Sequence, residues 1–192
     1  MSTIVISHGY AMSNDDHWYP YLREQLQASG DEVRIPQFPE PAAPVAADWL
    51  ETLQKQVADL DPADTVLVAH SLGGVNLLNM LQRHDIEGRG PFAGVVFVAS
   101  MAGEVGYDAL AAFFENGFDW PRIRAAAKNF RVLHAADDPV TAAATPEHIM
   151  RFVTELGAIA TVTPTGGHFP TTPDQRLELP EALRLVREVQ GR

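Results

Sequence analysis

At 192 residues the chain has the length of a single domain, large enough to bury about 70% of the surface its unfolded form exposes. With 46% hydrophobic and 20% charged residues it reads as globular, and the absence of cysteine excludes disulfides, cysteine nucleophiles and cysteine–metal sites. A net charge of −11 repels phosphate backbones and argues against nucleic acid as a partner.

The chain enters directly into the apolar run Ile4-Val5-Ile6, with no leader pattern, and no apolar stretch approaches the ~18 residues of a membrane span. A cytoplasmic protein without a membrane partner is expected. Strands are expected at Thr3–Ser7, Val33–Ile35, Thr65–Ala69, Gly94–Ala99, Phe130–Ala135 and Ala158–Thr163. Most are continuous apolar runs, the pattern of strands covered on both faces. Helices are expected at Trp18–Ala28, Val45–Asp59, Leu72–Arg83, Trp120–Ala127, Pro146–Leu156 and Pro180–Gln190. Strand and helix alternate six times, which predicts a mainly parallel α/β sheet of about six strands with helices on both faces.

Leu72, Val75, Leu78 and Leu81 form one apolar stripe, and Leu183, Val186 and Val189 form another. Thr145 is positioned to cap a helix with Pro146 at its first turn. Pro36–Pro41 reads as a rigid strand-to-helix connection rather than a domain linker. The irregular stretch Met101–Asp119 is either a partial lid or a packed loop.

The strongest chemical signal is Ala69-His70-Ser71-Leu72-Gly73-Gly74, between an apolar strand and a helix. A turn sharp enough to expose a serine between strand and helix needs small neighbours, and Ala69, Gly73 and Gly74 satisfy that. A serine hydroxyl needs a base, and the base needs a carboxylate to fix its tautomer. His168 follows the last strand in Gly166-Gly167-His168-Phe169, and Asp137-Asp138-Pro139 follows the strand before it. Ser, Asp, His in that chain order is the α/β-hydrolase order. Backbone N–H groups of Leu72 and Tyr10 are the expected donors to an oxyanion, with Gly9 allowing close approach.

His8 and His17 fall near the predicted mouth, where substrate contact competes with a structural role. Trp18, Tyr19 and Tyr21 either wall the pocket or pack elsewhere. His17, Trp18 and Trp120 are therefore the candidate substrate contacts. His84, His134 and His148 lack metal-ligand spacing, and no nucleotide-binding pattern is present, so neither metal nor organic cofactor is expected.

His8-Gly9-Tyr10, His17-Trp18-Tyr19, Ala69-His70-Ser71-Leu72-Gly73, Asp137-Asp138-Pro139 and Gly167-His168-Phe169 together resemble a family of small α/β-hydrolases. That family includes retinoblastoma-binding protein 9 and the bacterial YdeN-like serine hydrolases. The resemblance spans most of the chain, with Ala69 standing where many relatives have glycine. It implies a minimal α/β-hydrolase fold without a large cap domain, and Ser71, Asp138 and His168 as catalytic triad. It also implies hydrolysis of small-molecule esters, thioesters or amides through an acyl-enzyme. The alternative from another class is a binding or scaffold protein on the same fold, with no protein partner indicated by the sequence.

Overall fold

A computed structural model describes residues 1–170 and 177–191 of the chain. Six strands form one wholly parallel sheet: β1 (Thr3–Ser7), β2 (Glu32–Arg34), β3 (Thr65–His70), β4 (Gly94–Val98), β5 (Phe130–Ala135) and β6 (Ile159–Thr163). Their spatial order is β2-β1-β3-β4-β5-β6. Seven α-helices accompany them among the described residues: α1 (Tyr19–Ala28), α2 (Ala46–Val57), α3 (Leu72–Leu81), α4 (Ile86–Arg89), α5 (Trp120–Ala125), α6 (Thr145–Leu156) and α7 (Pro180–Val189).

Successive side chains of a strand point to opposite faces, so a strand covered on both sides must be apolar at every position. The central strands obey this. Ile4, Ile6, Val66, Val68, Val96, Val98 and Leu133 pack with α1 and α7, where Leu22, Leu26, Leu183 and Val186 meet them. Val5, Leu67, Ala69, Val95, Phe97 and Val132 face the other way, toward Trp49, Leu53, Val75, Leu78, Ile123 and Phe152 of α2, α3, α5 and α6. The edges are treated differently: β2 is only three residues long, and β6 leaves Ile159 and Val162 exposed.

Element boundaries shift from the sequence reading by one or two residues. Two expectations are corrected. The stripe on α3 understates its burial, because every residue from Leu72 to Leu81 is buried between the sheet and its neighbouring helices. Two of these are asparagines, whose amide N–H groups find carbonyl partners: Asn76 donates to Trp49, and Asn79 to Val75 and Phe113, while Asn76 Oδ1 is buried without a partner among the described residues. Thr145 does not cap α6. It is the first helical residue, and its hydroxyl donates to the Ala142 carbonyl.

The proline-rich stretch runs between β2 and α2 and is fastened inward at Phe38, which is buried. Its N–H donates to His8 Nε2 at 3.0 Å, while His8 Nδ1 donates to the Gly9 carbonyl. Between Met101 and Asp119 the chain makes a short 3₁₀ turn at Asp108–Phe113. That stretch is held at one end by His148 of α6, which accepts the Ala102 N–H, and at the other by Asn79 of α3 and by Gln82 just after that helix. Among the described residues no helix is long and apolar enough to cross a membrane.

A parallel sheet brings the C-terminal ends of all its strands to one edge. The loops after β1, β3, β4, β5 and β6 carry Tyr10, Ser71, Met101, Asp138 and His168, and all five therefore emerge on that edge.

Candidate active site

Ser71 sits on the turn between β3 and α3 with φ 53° and ψ −126°. A non-glycine residue in that region costs on the order of 1–3 kcal/mol and persists only when its surroundings enforce it. They do so here by close contact. A Cβ on Gly73 would lie 2.2 Å from the Ser7 carbonyl oxygen and 2.4 Å from that of His8. Only glycine lets α3 start this close to the end of β1. Ser71 N–H donates to the Val98 carbonyl at 3.0 Å, and the Ser71 carbonyl accepts from Gly74 N–H.

Ser71 Oγ lies 2.8 Å from His168 Nε2. His168 Nδ1 faces both carboxylate oxygens of Asp138, at 3.0 and 2.9 Å. A carboxylate accepts, so Nδ1 carries the proton and Nε2 presents its lone pair to the serine hydroxyl. Asp138 is buried and also accepts from Val140 N–H at 2.8 Å. Burial works against its charge, but the bonds from His168 and Val140 outweigh it and hold the carboxyl below its usual range. Asp137 points elsewhere, accepting Gly167 N–H at 2.8 Å and so fastening the loop that carries His168.

The loop after β1 passes directly beside Ser71, since a Cβ on Gly9 would be 3.1 Å from the serine Cβ. Leu72 opens α3, so its N–H has no carbonyl one turn back within the helix. Ser71 and His168 open into a cleft of about 360 Å³ walled by Tyr10, Met12, Met101, Tyr107, Leu110 and Val140. Among the described residues that line it, His168 is the one histidine, and there is no aspartate, glutamate, lysine or arginine.

The geometry at this edge has the components of a hydrolase, and comparison places the chain among them. A family model described as serine hydrolase matches residues 4–187. The chain belongs to the serine hydrolase family. It is 30% identical over 167 residues to YdeN of Bacillus subtilis (strain 168), described as a hydrolase, covering 86% of this chain and 85% of that one. The crystal structure of YdeN matches with a TM-score of 0.88 at 27% identity, over 100% of both chains. A YdeN-like hydrolase from Pectobacterium atrosepticum shares the fold at TM-score 0.73 and 14% identity, over 100% of this chain and 91% of that one. Est1E from Butyrivibrio proteoclasticus does so at 0.73 and 12%, over 100% and 89%. The α/β-hydrolase fold implied by the resemblance is the fold observed, with no large cap among the described residues, and the protein is a hydrolase.

The expected substrate contacts of this serine hydrolase are not brought to the cleft. Trp18 is wholly buried against α1 and α7, with its indole N–H donating to the Phe169 carbonyl at 3.1 Å. His17 is buried beside the rings of Tyr19 and His70. Trp120 packs on Phe118 and Phe152 under the other face of the sheet. Cleft walls come instead from Tyr10 and Met12 after β1, from Val140 after β5, and from the stretch after β4. Both readings of Met101–Asp119 hold at once: Met101, Tyr107 and Leu110 roof the cleft, while Phe113 and Phe114 pack into the core.

The hydrolase carries several buried imidazoles around this edge. Burial lowers the pKa of His8, His70, His134 and His148, that of His134 to about 4. His134 donates Nε2–H to the Ser100 carbonyl, and its Nδ1 lies 3.9 Å from Asp138. In the unfolded chain these groups protonate near pH 6.5, so below that pH the unfolded state binds more protons and stability falls as pH falls. His134 alone accounts for about 2 kcal/mol between pH 7 and 5. The thermal midpoint should therefore drop on acidification from pH 7 to 5. His134→Gln, which keeps a donor for Ser100, should show a shallower drop. Parallel pH profiles for the two proteins would contradict the assignment of a buried neutral imidazole.

Proposed function

We propose that the protein hydrolyses carboxylic esters of small or medium uncharged acyl groups through an acyl-enzyme at Ser71. His168 takes the serine proton as Oγ attacks the carbonyl, and returns it to the leaving alkoxide. Asp138 holds the imidazole in the tautomer that makes this transfer possible and stabilises the imidazolium that forms. Leu72 N–H and Tyr10 N–H donate to the developing oxyanion. Water, deprotonated by the same imidazole, then releases the acid and restores Ser71. The observation that carries the reading is His168 bridging Ser71 Oγ at 2.8 Å and both oxygens of buried Asp138. A fluorophosphonate probe should label wild-type protein at Ser71 at neutral pH, and a serine left unlabelled would defeat the mechanism.

Cleft size and polarity support the substrate class. A cleft of about 360 Å³ is near the lower end of ligand pockets, which suits acyl chains of short to medium length. Among the described residues its walls are methionine, tyrosine and aliphatic side chains, with no lysine or arginine to receive a charged acyl group. Across p-nitrophenyl esters, kcat/KM should peak at these lengths, and neutral acyl groups should be preferred to dicarboxylate half-esters. A matching thioester and anilide series ranks the three leaving-group classes. Preference for long-chain triacylglycerols, with a jump in rate above their solubility limit, would overturn this reading.

A further inference from the structure

His17-Trp18-Tyr19 lies behind the reacting groups, gathered around one buried imidazole. Both ring nitrogens of His70 are engaged, and each hydrogen bond can run in only one direction. Nε2 is 2.8 Å from the carbonyl oxygen of His168. A carbonyl only accepts, so Nε2 carries the proton. Nδ1 must then accept, and its donor is the Tyr19 hydroxyl at 2.7 Å. Met12 Sδ also lies 3.1 Å from that hydroxyl, but a thioether is a weak acceptor beside an imidazole nitrogen. The Tyr19 oxygen in turn accepts Gly9 N–H at 3.3 Å.

A directed chain therefore runs from Gly9 N–H through Tyr19 and His70 to the backbone of His168. Burial keeps His70 neutral and Tyr19 protonated, so the direction does not change across the neutral range. Trp18 adds a parallel tie, its indole holding the Phe169 carbonyl while its ring packs against His70 at 5.6 Å.

We propose that Tyr19 and His70 are a positioning pair for the reaction, locking the loop that supplies the Tyr10 N–H to the loop that carries His168. The inference rests on the hydrolase mechanism proposed above. Misplacing a reacting group by 1 Å can cost on the order of 100-fold in rate, and these two loops approach Ser71 from opposite sides. Packing alone would not need the polar chain, because apolar residues of similar shape fill such a space at little cost.

Tyr19→Phe removes one hydroxyl and keeps the ring that packs on Trp18. His70→Gln keeps a donor but cannot offer donor and acceptor at opposite ends. Each should lower kcat about 10- to 100-fold with KM changed less than about threefold. The double variant should be no slower than the worse single, because either change breaks the same chain. Folding is checked by circular dichroism at 25 °C, and either variant alone reads the kcat–KM split should the other not fold. Turnover within twofold of wild type, a loss confined to KM, or losses that multiply in the double variant would each overturn the pairing. Wild-type protein inert to both fluorophosphonate and esters would instead overturn the hydrolase mechanism, and is seen before any variant is made.

Discussion

Ser71→Ala is expected to fold like the parent and to lose turnover by something on the order of 10³–10⁶. The size of the loss follows from the geometry. Ser71 Oγ accepts nothing the fold needs; its partner is the free nitrogen of His168. Deleting it leaves the Asp138–His168 bond in place, and the turn is held by Ser71's own backbone bonds to Val98 and Gly74. What disappears is the atom that would become covalently bound to the acyl group. Residual rate would come only from water attacking a carbonyl held by the two N–H donors. Hydrolysis of p-nitrophenyl acetate, followed together with thermal unfolding, separates the outcomes. Wild-type rates in a folded variant would mean that another group is the nucleophile.

Asp138→Asn is expected to cost roughly 10⁴ in turnover, the scale of the same change in serine proteases, while Asp137→Asn should cost less than about tenfold. The two adjacent carboxylates do different work. Asp138 receives the Nδ1 proton of His168 on both oxygens, in a buried place where the charge is held by His168 and Val140 N–H. An asparagine amide there can turn its NH₂ toward Nδ1, which then carries no proton, and Nε2 loses the lone pair that the serine needs. Asp137 uses one oxygen to accept Gly167 N–H, and an asparagine carbonyl accepts as well. Removing the acceptor with Asp137→Ala should do more harm than Asp137→Asn, by freeing the loop before His168. Steady-state rates on folded single variants give the ranking, and the reverse order would place the triad carboxylate at Asp137.

Much of this was legible in the residues because the constraints are local. The β3–α3 turn needs small neighbours within a few positions, and the loops after parallel strands must share an edge, so Ser71, the Asp137-Asp138 pair and His168 are brought to one edge by their order, and only the family resemblance singles out Asp138. The aromatics at 17–19 were not placed by the same reasoning. Tryptophan and histidine suit a cleft wall or a core equally well, and the choice was made by the direction in which the chain enters α1. That entry turns Trp18 and His17 beneath the sheet edge, toward His70 and Phe169, and away from the cleft. Tyr107 and Leu110 escaped notice for a different reason. They sit in an irregular stretch whose 3₁₀ turn is too short to leave a periodic signature. His134 and His148 carry no spacing signal either, since their importance comes from burial near Asp138 and not from neighbours in sequence.

The stretch that roofs the cleft is tied down at its two ends, by His148 on one side and by Asn79 and Gln82 on the other. Neither anchor belongs to the hydrogen-bonded line from Ser71 to Asp138. Most of the roof thus comes from a stretch that carries none of Ser71, Asp138 and His168, while Tyr10, Met12 and Val140 wall the cleft from the loops beside them. Gly73, pressed against the end of β1, leaves the floor of the site no room for variation. The roof between its anchors can change length and composition without disturbing a proton transfer. On the proposed mechanism, substitutions in that one loop should change which acyl groups are accepted while leaving Ser71, Asp138 and His168 in place.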